Sequence, residues 1–250
     1  MKVITFNING AGKNKDTKKE NVKNLRDHYK PDLFLIQEAV EEQEKWLAPK
    51  GHFAKRGGAD SMEGGYVVAG GTDVTGIAAN TMTFFTPFSE KTYQALRPPL
   101  KIECKWKDIC VQAYTWHAPF DWKGLGGSKM AATALRLFLK AELNNIYEAA
   151  RGKFIWILAG DLNVEGTLLR MIMRKNLPDN LLPLARLKTS KGQAKSHALM
   201  FYGGEPKIQP NQLGDVPILN GQPSHSPHRW LVVRFPIEDM LRSDQKKITC

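Results

Sequence analysis

Phe154-Ile-Trp-Ile-Leu-Ala-Gly-Asp161-Leu-Asn163-Val164 is the stretch on which the fold turns. Its apolar, β-favouring run predicts a buried strand, and Gly160 lets the backbone leave that strand. A carboxylate and a carboxamide, two residues apart, then stand at the strand's C-terminal mouth. Positions i and i+2 of an extended segment point the same way, so Asp161 and Asn163 can face one small polar target together. Chemistry at a phosphate uses such a pair, with an acceptor to orient a water and an amide to hold an oxygen or support a metal. The same two residues also suit a strand ending in an Asx-turn. Taken alone, that plainer reading is the better one.

Working outward, other segments read as strands or helices. Val3-Ile-Thr-Phe-Asn7-Ile8 alternates and predicts a first strand, followed by a flexible loop at Asn9-Gly-Ala-Gly. Thr17-Lys-Lys-Glu20 is a capping box opening a helix with an apolar stripe of Val22, Leu25 and Tyr29, which Pro31 ends. Asp32-Leu-Phe-Leu-Ile-Gln-Glu38 is the continuous run expected of a strand covered on both faces, and Glu41 to Leu47 predicts a short helix. Gly57 to Gly76 reads as glycine-rich loops around a short strand at Tyr66-Val-Val-Ala, with another strand at Thr81-Met-Thr-Phe-Phe. Leu100–Cys104 and Ile109–His117 form a hairpin turned at Lys105 to Asp108. The longest helix runs from about Ser128 to Ala150, and a further helix lies near Leu168 to Arg174. Ala198-Leu-Met-Phe-Tyr and Trp230-Leu-Val-Val-Arg-Phe close the strand set. Strands interleaved with helices, plus a hairpin, predict a mixed-sheet sandwich with helices outside, built as one domain over 1–250.

The 250 residues can build a full core, and no apolar run approaches the roughly 20 residues of a membrane span. Met1 to Gly10 lacks the basic-then-apolar pattern of a secretory signal, which favours an intracellular setting unless a mature terminus has been trimmed. Cys104, Cys110 and Cys250 show no metal-ligand spacing; Cys104 and Cys110 could face each other across a hairpin, and the three read as thiols of a reducing compartment. The formal charge of +11 favours a polyanionic partner, nucleic acid first and an anionic membrane surface second.

Polar residues end several of these strands: Asn7, Glu38, His117, and Asp161 with Asn163, while His228 precedes the last. Each has a plainer use, Asn7 in a turn, Glu38 as a first-turn acid, His117 as a packed histidine. Gathered at one rim, they would suit metal-assisted hydrolysis of a phosphoester, with Glu38 the natural ligand of Mg²⁺.

The order Phe6-Asn7-Ile8, Ile36-Gln37-Glu38-Ala39, Trp116-His117-Ala118-Pro119 and Ala159-Gly160-Asp161-Leu162-Asn163, with an ending around His228, resembles the endonuclease/exonuclease/phosphatase superfamily. Arg97-Pro98-Pro99-Leu100 and Thr189-Ser190 make it most similar, within that group, to the catalytic subunit of cytolethal distending toxin. The resemblance implies a DNase I-like α+β fold: a four-layer α/β sandwich of two mixed β-sheets with helices outside. It implies a Mg²⁺-dependent phosphodiesterase hydrolysing nucleic acid, with DNA favoured, and protein partners if the chain belongs to a toxin-like assembly. Glu38 would bind Mg²⁺ with Asn7 nearby. Asp161 and Asn163 would orient the attacking water and hold the scissile phosphate. His117 and His228 would serve as acid/base groups or stabilise charge, and Arg97 with Asn80 would contact substrate phosphate.

Two departures bear on activity. The family's final motif is Ser-Asp-His, and here Ser226-Pro227-His228 has proline in the aspartate's place. A second family aspartate, before the late strand, aligns with Ser196. The first of these aspartates would support the metal, for which proline has no ligating side chain, and the second would aim and charge-pair the last histidine. Two alternatives therefore stand beside the nuclease: a phosphatase acting on a phosphoinositide or another phosphomonoester, and a degenerate member that only binds nucleic acid or protein.

Overall fold

Lys2–Asn7 forms strand β1, with Ile4 and Phe6 on one face and Val3, Thr5 and Asn7 on the other. The computed structural model describes residues 1–8, 15–47, 51–54, 65–81, 89–107, 109–119, 122–138, 155–164, 185–188, 199–204, 211–214 and 230–236. Helix α1, Lys15–Tyr29, carries the chain back across the outer face of β1, burying Val22 and Leu25 against Ile4, Phe6 and Phe34. It starts at Lys15, ahead of the capping box expected at Thr17. Strand β2, Leu33–Ala39, then lies parallel to β1, as a helical crossover requires. A 3-10 helix at Glu41–Leu47 follows where a short helix was expected.

Strands β3 (Gly51–Ala54) and β4 (Gly65–Gly70) extend this sheet beyond β2. The second sheet begins with β5, Val74–Thr81, upstream of the strand expected at Thr81–Phe85, of which residues 82–85 lie outside those described. Gly76, which signals a loop, sits instead at φ +64° in a register irregularity between Thr75 and Ala78. After α2 (Glu90–Ala95) come β6 (Leu100–Trp106) and β7 (Ile109–His117). This hairpin is tighter than predicted, because Trp106 already pairs with Ile109.

Helix α3, Gly127–Phe138, is the described part of the predicted long helix. Strand β8, Ile155–Asp161, runs parallel to β7. Strands β9 (Ala185–Lys188), β10 (Leu199–Gly204), β11 (Asn211–Gly214) and β12 (Leu231–Arg234) complete the set. The helix predicted near Leu168 lies outside the described residues.

The strands build two six-stranded sheets in the orders β11-β12-β1-β2-β4-β3 and β5-β6-β7-β8-β10-β9. Each has a parallel pair at its centre, β1/β2 in one and β7/β8 in the other, flanked by antiparallel neighbours. Between the sheets, Val3, Leu33, Leu35 and Val68 meet Leu100, Ile102, Val111, Ala113 and Ala159 in one apolar core. The far face of the second sheet is buried as well, at Tyr114, Trp116, Trp156 and Leu158. This is the α+β sandwich of two mixed sheets, and the two central parallel pairs end at the same rim.

The cysteines correct one expectation. Cys104 faces the inter-sheet core opposite Val111, whereas Cys110 faces the other way opposite Lys105, so they cannot meet across the hairpin. Cys104 is a free buried thiol, but Cys110 is held in a disulfide, so the cysteines no longer support a reducing compartment. No helix among the described residues is long and apolar enough to cross a membrane.

Candidate active site

The residues that end the central strands meet. Asn7 closes β1, Glu38 lies one residue before the end of β2, and His117 and Asp161 close β7 and β8 as direct register partners. Strict alternation would send Glu38 to the outer face, beside Ile36's helix-covered side. Instead Gln37 pairs with Tyr66 and Ala39 with Gly65, which leaves Glu38 as the extra residue of a β-bulge at φ +54°. The bulge turns its carboxylate back toward the gap between the sheets.

Asn7 is fully buried and acts as the hub. Its Nδ2 donates to Glu38 Oε1 at 2.9 Å and to Asp161 Oδ2 at 3.0 Å, joining carboxylates from opposite sheets. His117 Nε2 lies 3.2 Å from the same Glu38 oxygen, and donates to it when that nitrogen carries the proton. Arg97 Nη1 approaches His117 Nε2 at 3.4 Å from a backbone at φ +54°. Asp161 is fully buried, and its Oδ1 accepts from the Asn163 backbone N–H at 3.2 Å. Asn163, at φ +48°, donates Nδ2 to Ala118 O at 3.0 Å. The Asx-turn and the functional placement are thus one structure.

Gly160 makes this junction possible. At φ +145° it passes so close to β7 that a Cβ would lie 2.2 Å from the Trp116 carbonyl oxygen and 2.9 Å from its nitrogen. No larger residue fits between His117 and Asp161's strands at that point.

The donor set fits a hard divalent cation. Two carboxylates converge on a single amide nitrogen in a largely desolvated rim, and like charges so placed favour a nearby cation. Among the described residues Asn163 Oδ1 is a buried oxygen acceptor without a hydrogen-bond donor. Among the described residues no three His, Cys, Asp or Glu side chains close into a cage. Mg²⁺, which keeps most of its waters, does not require one.

The structure adds a group that sequence reading missed. Lys18 lies on the buried side of α1 with Val22 and Leu25, only 5% exposed. Burial pushes its ammonium below the ordinary lysine range, and the Glu38 charge opposes that shift. A lysine on an otherwise apolar helix stripe was the available signal. Asn80 is placed differently. It is exposed on β5 opposite Lys101, on the sheet face away from Leu100 and the inter-sheet core. No hydrogen bond among the described residues joins it to the others. His228, Ser196, Pro227 and Thr189-Ser190 lie outside those residues.

No family model matches the chain, and no curated protein matches it in sequence. Solved structures match its architecture. D. rerio TDP2 complexed with single strand DNA product gives a TM-score of 0.70 at 16% identity, over 94% of this chain and 98% of that one. The fold is DNase I-like. ANGEL2, a 2',3'-cyclic phosphatase, gives 0.67 at 15% identity over 94% of each chain. The human Nocturnin catalytic domain with bound sulfate gives 0.60 at 16%, over 94% and 93%. At such identities the likeness is one of fold, and the chemistry must be argued from the site.

Proposed function

We propose that this chain is a Mg²⁺-dependent phosphodiesterase of nucleic acid, with DNA the favoured substrate. The observation that carries the reading is the Asn7 amide donating to Glu38 and Asp161 across the two sheets, with His117 on the same Glu38 oxygen. Glu38 and Asn7 would hold the ion. Bound there, Mg²⁺ supplies neutralisation of charge developing on phosphoryl oxygens.

The chain's own groups do the rest. Asp161, aimed by Asn7 and the Asn163 N–H, accepts the proton of the attacking water, and Asn163 Oδ1 fixes that water or a protonated oxygen beside it. His117, its ring held against Glu38, stabilises charge on the phosphate or acts as an acid/base group, and His228 shares that work. Arg97 grips non-bridging oxygens with its planar guanidinium. Asn80, exposed on β5, serves a phosphate away from the scissile one. The +11 charge supports a polyanionic substrate, and TDP2 with its single strand DNA product supports nucleic acid. Pro227 lowers the activity to be expected by removing a carboxylate that would support the metal, and Ser196 by leaving His228 less well aimed.

ANGEL2 favours a second reading, hydrolysis of a phosphomonoester or cyclic phosphate, which uses the same groups. The deciding experiment is nicking of supercoiled plasmid and trimming of single-stranded oligonucleotide, with Mg²⁺ or EDTA, alongside Asp161→Ala and Glu38→Ala. Cleavage that needs Mg²⁺ and drops by about 10²-fold or more in both variants is expected. Cleavage of neither substrate, with turnover of phosphomonoesters, would favour the second reading. Binding without any turnover would leave the degenerate one.

A further inference from the structure

The site is divided between two sheets. Asn7 and Glu38 belong to one, while His117 and Asp161 belong to the other, with Asn163 two residues past its strand β8. Apolar contact between sheets is non-directional and does not by itself set their register to a fraction of an ångström. Directional bonds do, and two of them cross the gap directly beneath the site. Gln37 Nε2 lies 2.7 Å from Thr115 Oγ1, and the His117 backbone N–H donates to Tyr66 Oη at 3.2 Å. Tyr66 Oη also donates to Pro98 O at 3.3 Å.

These bonds form a pattern. Gln37 and Tyr66 stand directly opposite each other on β2 and β4. Thr115 and His117 are successive inward-facing positions on β7. One cross-strand pair of the first sheet thus seats two consecutive rungs of the second. Gln37, Thr115 and Tyr66 are all buried. Gln37 Nε2 further meets Thr5 Oγ1 at 3.0 Å and Leu35 O at 3.1 Å, while its own Oε1 is buried with no partner among the described residues. A carboxamide kept in the core with one oxygen unsatisfied is a poor device for stability. It is better suited to specifying one geometry.

We infer that Gln37 and Tyr66 are positioning residues that clamp β7 onto β2 and β4. Through Thr115 and the His117 backbone they hold the imidazole at 3.2 Å from Glu38 and keep both sheets' reacting groups in one register. The effect on turnover rests on the phosphodiesterase reading above; the clamp's geometry does not.

Tyr66→Phe and Gln37→Met test this with saturating Mg²⁺ on the oligonucleotide substrate. Each should lower kcat by about tenfold or more while KM stays within about twofold, because misplacement within the site costs turnover before binding. Affinity for Mn²⁺ should be unchanged within about twofold in both variants, since Glu38 and Asn7 share a sheet. Ile102→Val, a core change away from the rim, serves as the stability control with unaltered kcat. Unchanged kcat in Tyr66→Phe, which removes a single oxygen and should fold, would overturn the clamp. If the wild type turns over none of the substrates offered, it is the functional reading that fails. Crystal structures of wild type and Tyr66→Phe then decide: loss of the contact between Glu38 and His117 supports the clamp, and an unmoved pair sinks it.

Discussion

Among the described residues, five non-glycine positions have positive φ, and three of them are Glu38, Arg97 and Asn163. Such conformations cost on the order of 1–3 kcal/mol each and persist where the surroundings impose them. Their gathering at one rim points to a site independently of any motif. Gly160 belongs to the same device, since its missing Cβ lets β8 approach β7. Gly160→Ala should therefore lower stability by about 2 kcal/mol or more, read as a shift in urea midpoint at unchanged m-value. Cys104 offers a test of the inter-sheet core, because burial pushes its thiol up to about 12 from an ordinary 9.0. The folded chain keeps the proton that the unfolded chain releases, so this stability is complete below pH 9 and is lost as pH rises toward 12. Relative to Cys104→Val, the wild type should lose up to about 1.4 kcal/mol of unfolding free energy per pH unit above pH 9. Equal slopes in the two proteins would mean that the thiol is not sheltered. At this scale Asp161, Asn163, Asn7 and Glu38 were readable as polar residues ending apolar runs. Lys18 shows only as a lysine on an apolar helix stripe, and Tyr66, in a glycine-rich stretch, declares nothing until its neighbours are in place.

The elements show where alternation succeeds and where it stops. β1, β2, β7 and β8 are strands where apolar runs predicted them. The orientation of Glu38 does not follow from period-two reasoning, which sends it outward with Ile36. It faces the site because β2 carries one residue more than β4 between Gln37 and Ala39, a matter of pairing between distant segments. β5 was misread for a related reason, since Gly76 looks like a loop locally and is a register irregularity in context. The central parallel pairs are covered on both faces, whereas β3 and β9 lie at sheet edges. Amide hydrogen exchange should thus be slowest at the centres of β1, β2, β7 and β8, by about 100-fold or more over β3 and β9. Comparable rates in the edge strands would contradict the strand order.

For the whole molecule, charge and division between sheets matter most. A +11 chain that contacts several phosphates should lose nucleic-acid affinity by about tenfold or more between 50 and 200 mM salt, in a log–log plot of constant slope. A salt-independent affinity would show that the charge is not turned toward the ligand. The sequence by itself determined the alternation of strands and helices, the polar residues at strand ends, and the excess of positive charge. These depend on residue type and short-range order. Only the tertiary structure decided that Asn7 joins Glu38 to Asp161, that Arg97 reaches His117, that Asn80 faces away, and that Cys110 and Cys104 point to opposite faces. Each of those facts depends on register between strands far apart in the chain, where a slip of one residue turns every side chain to the other face.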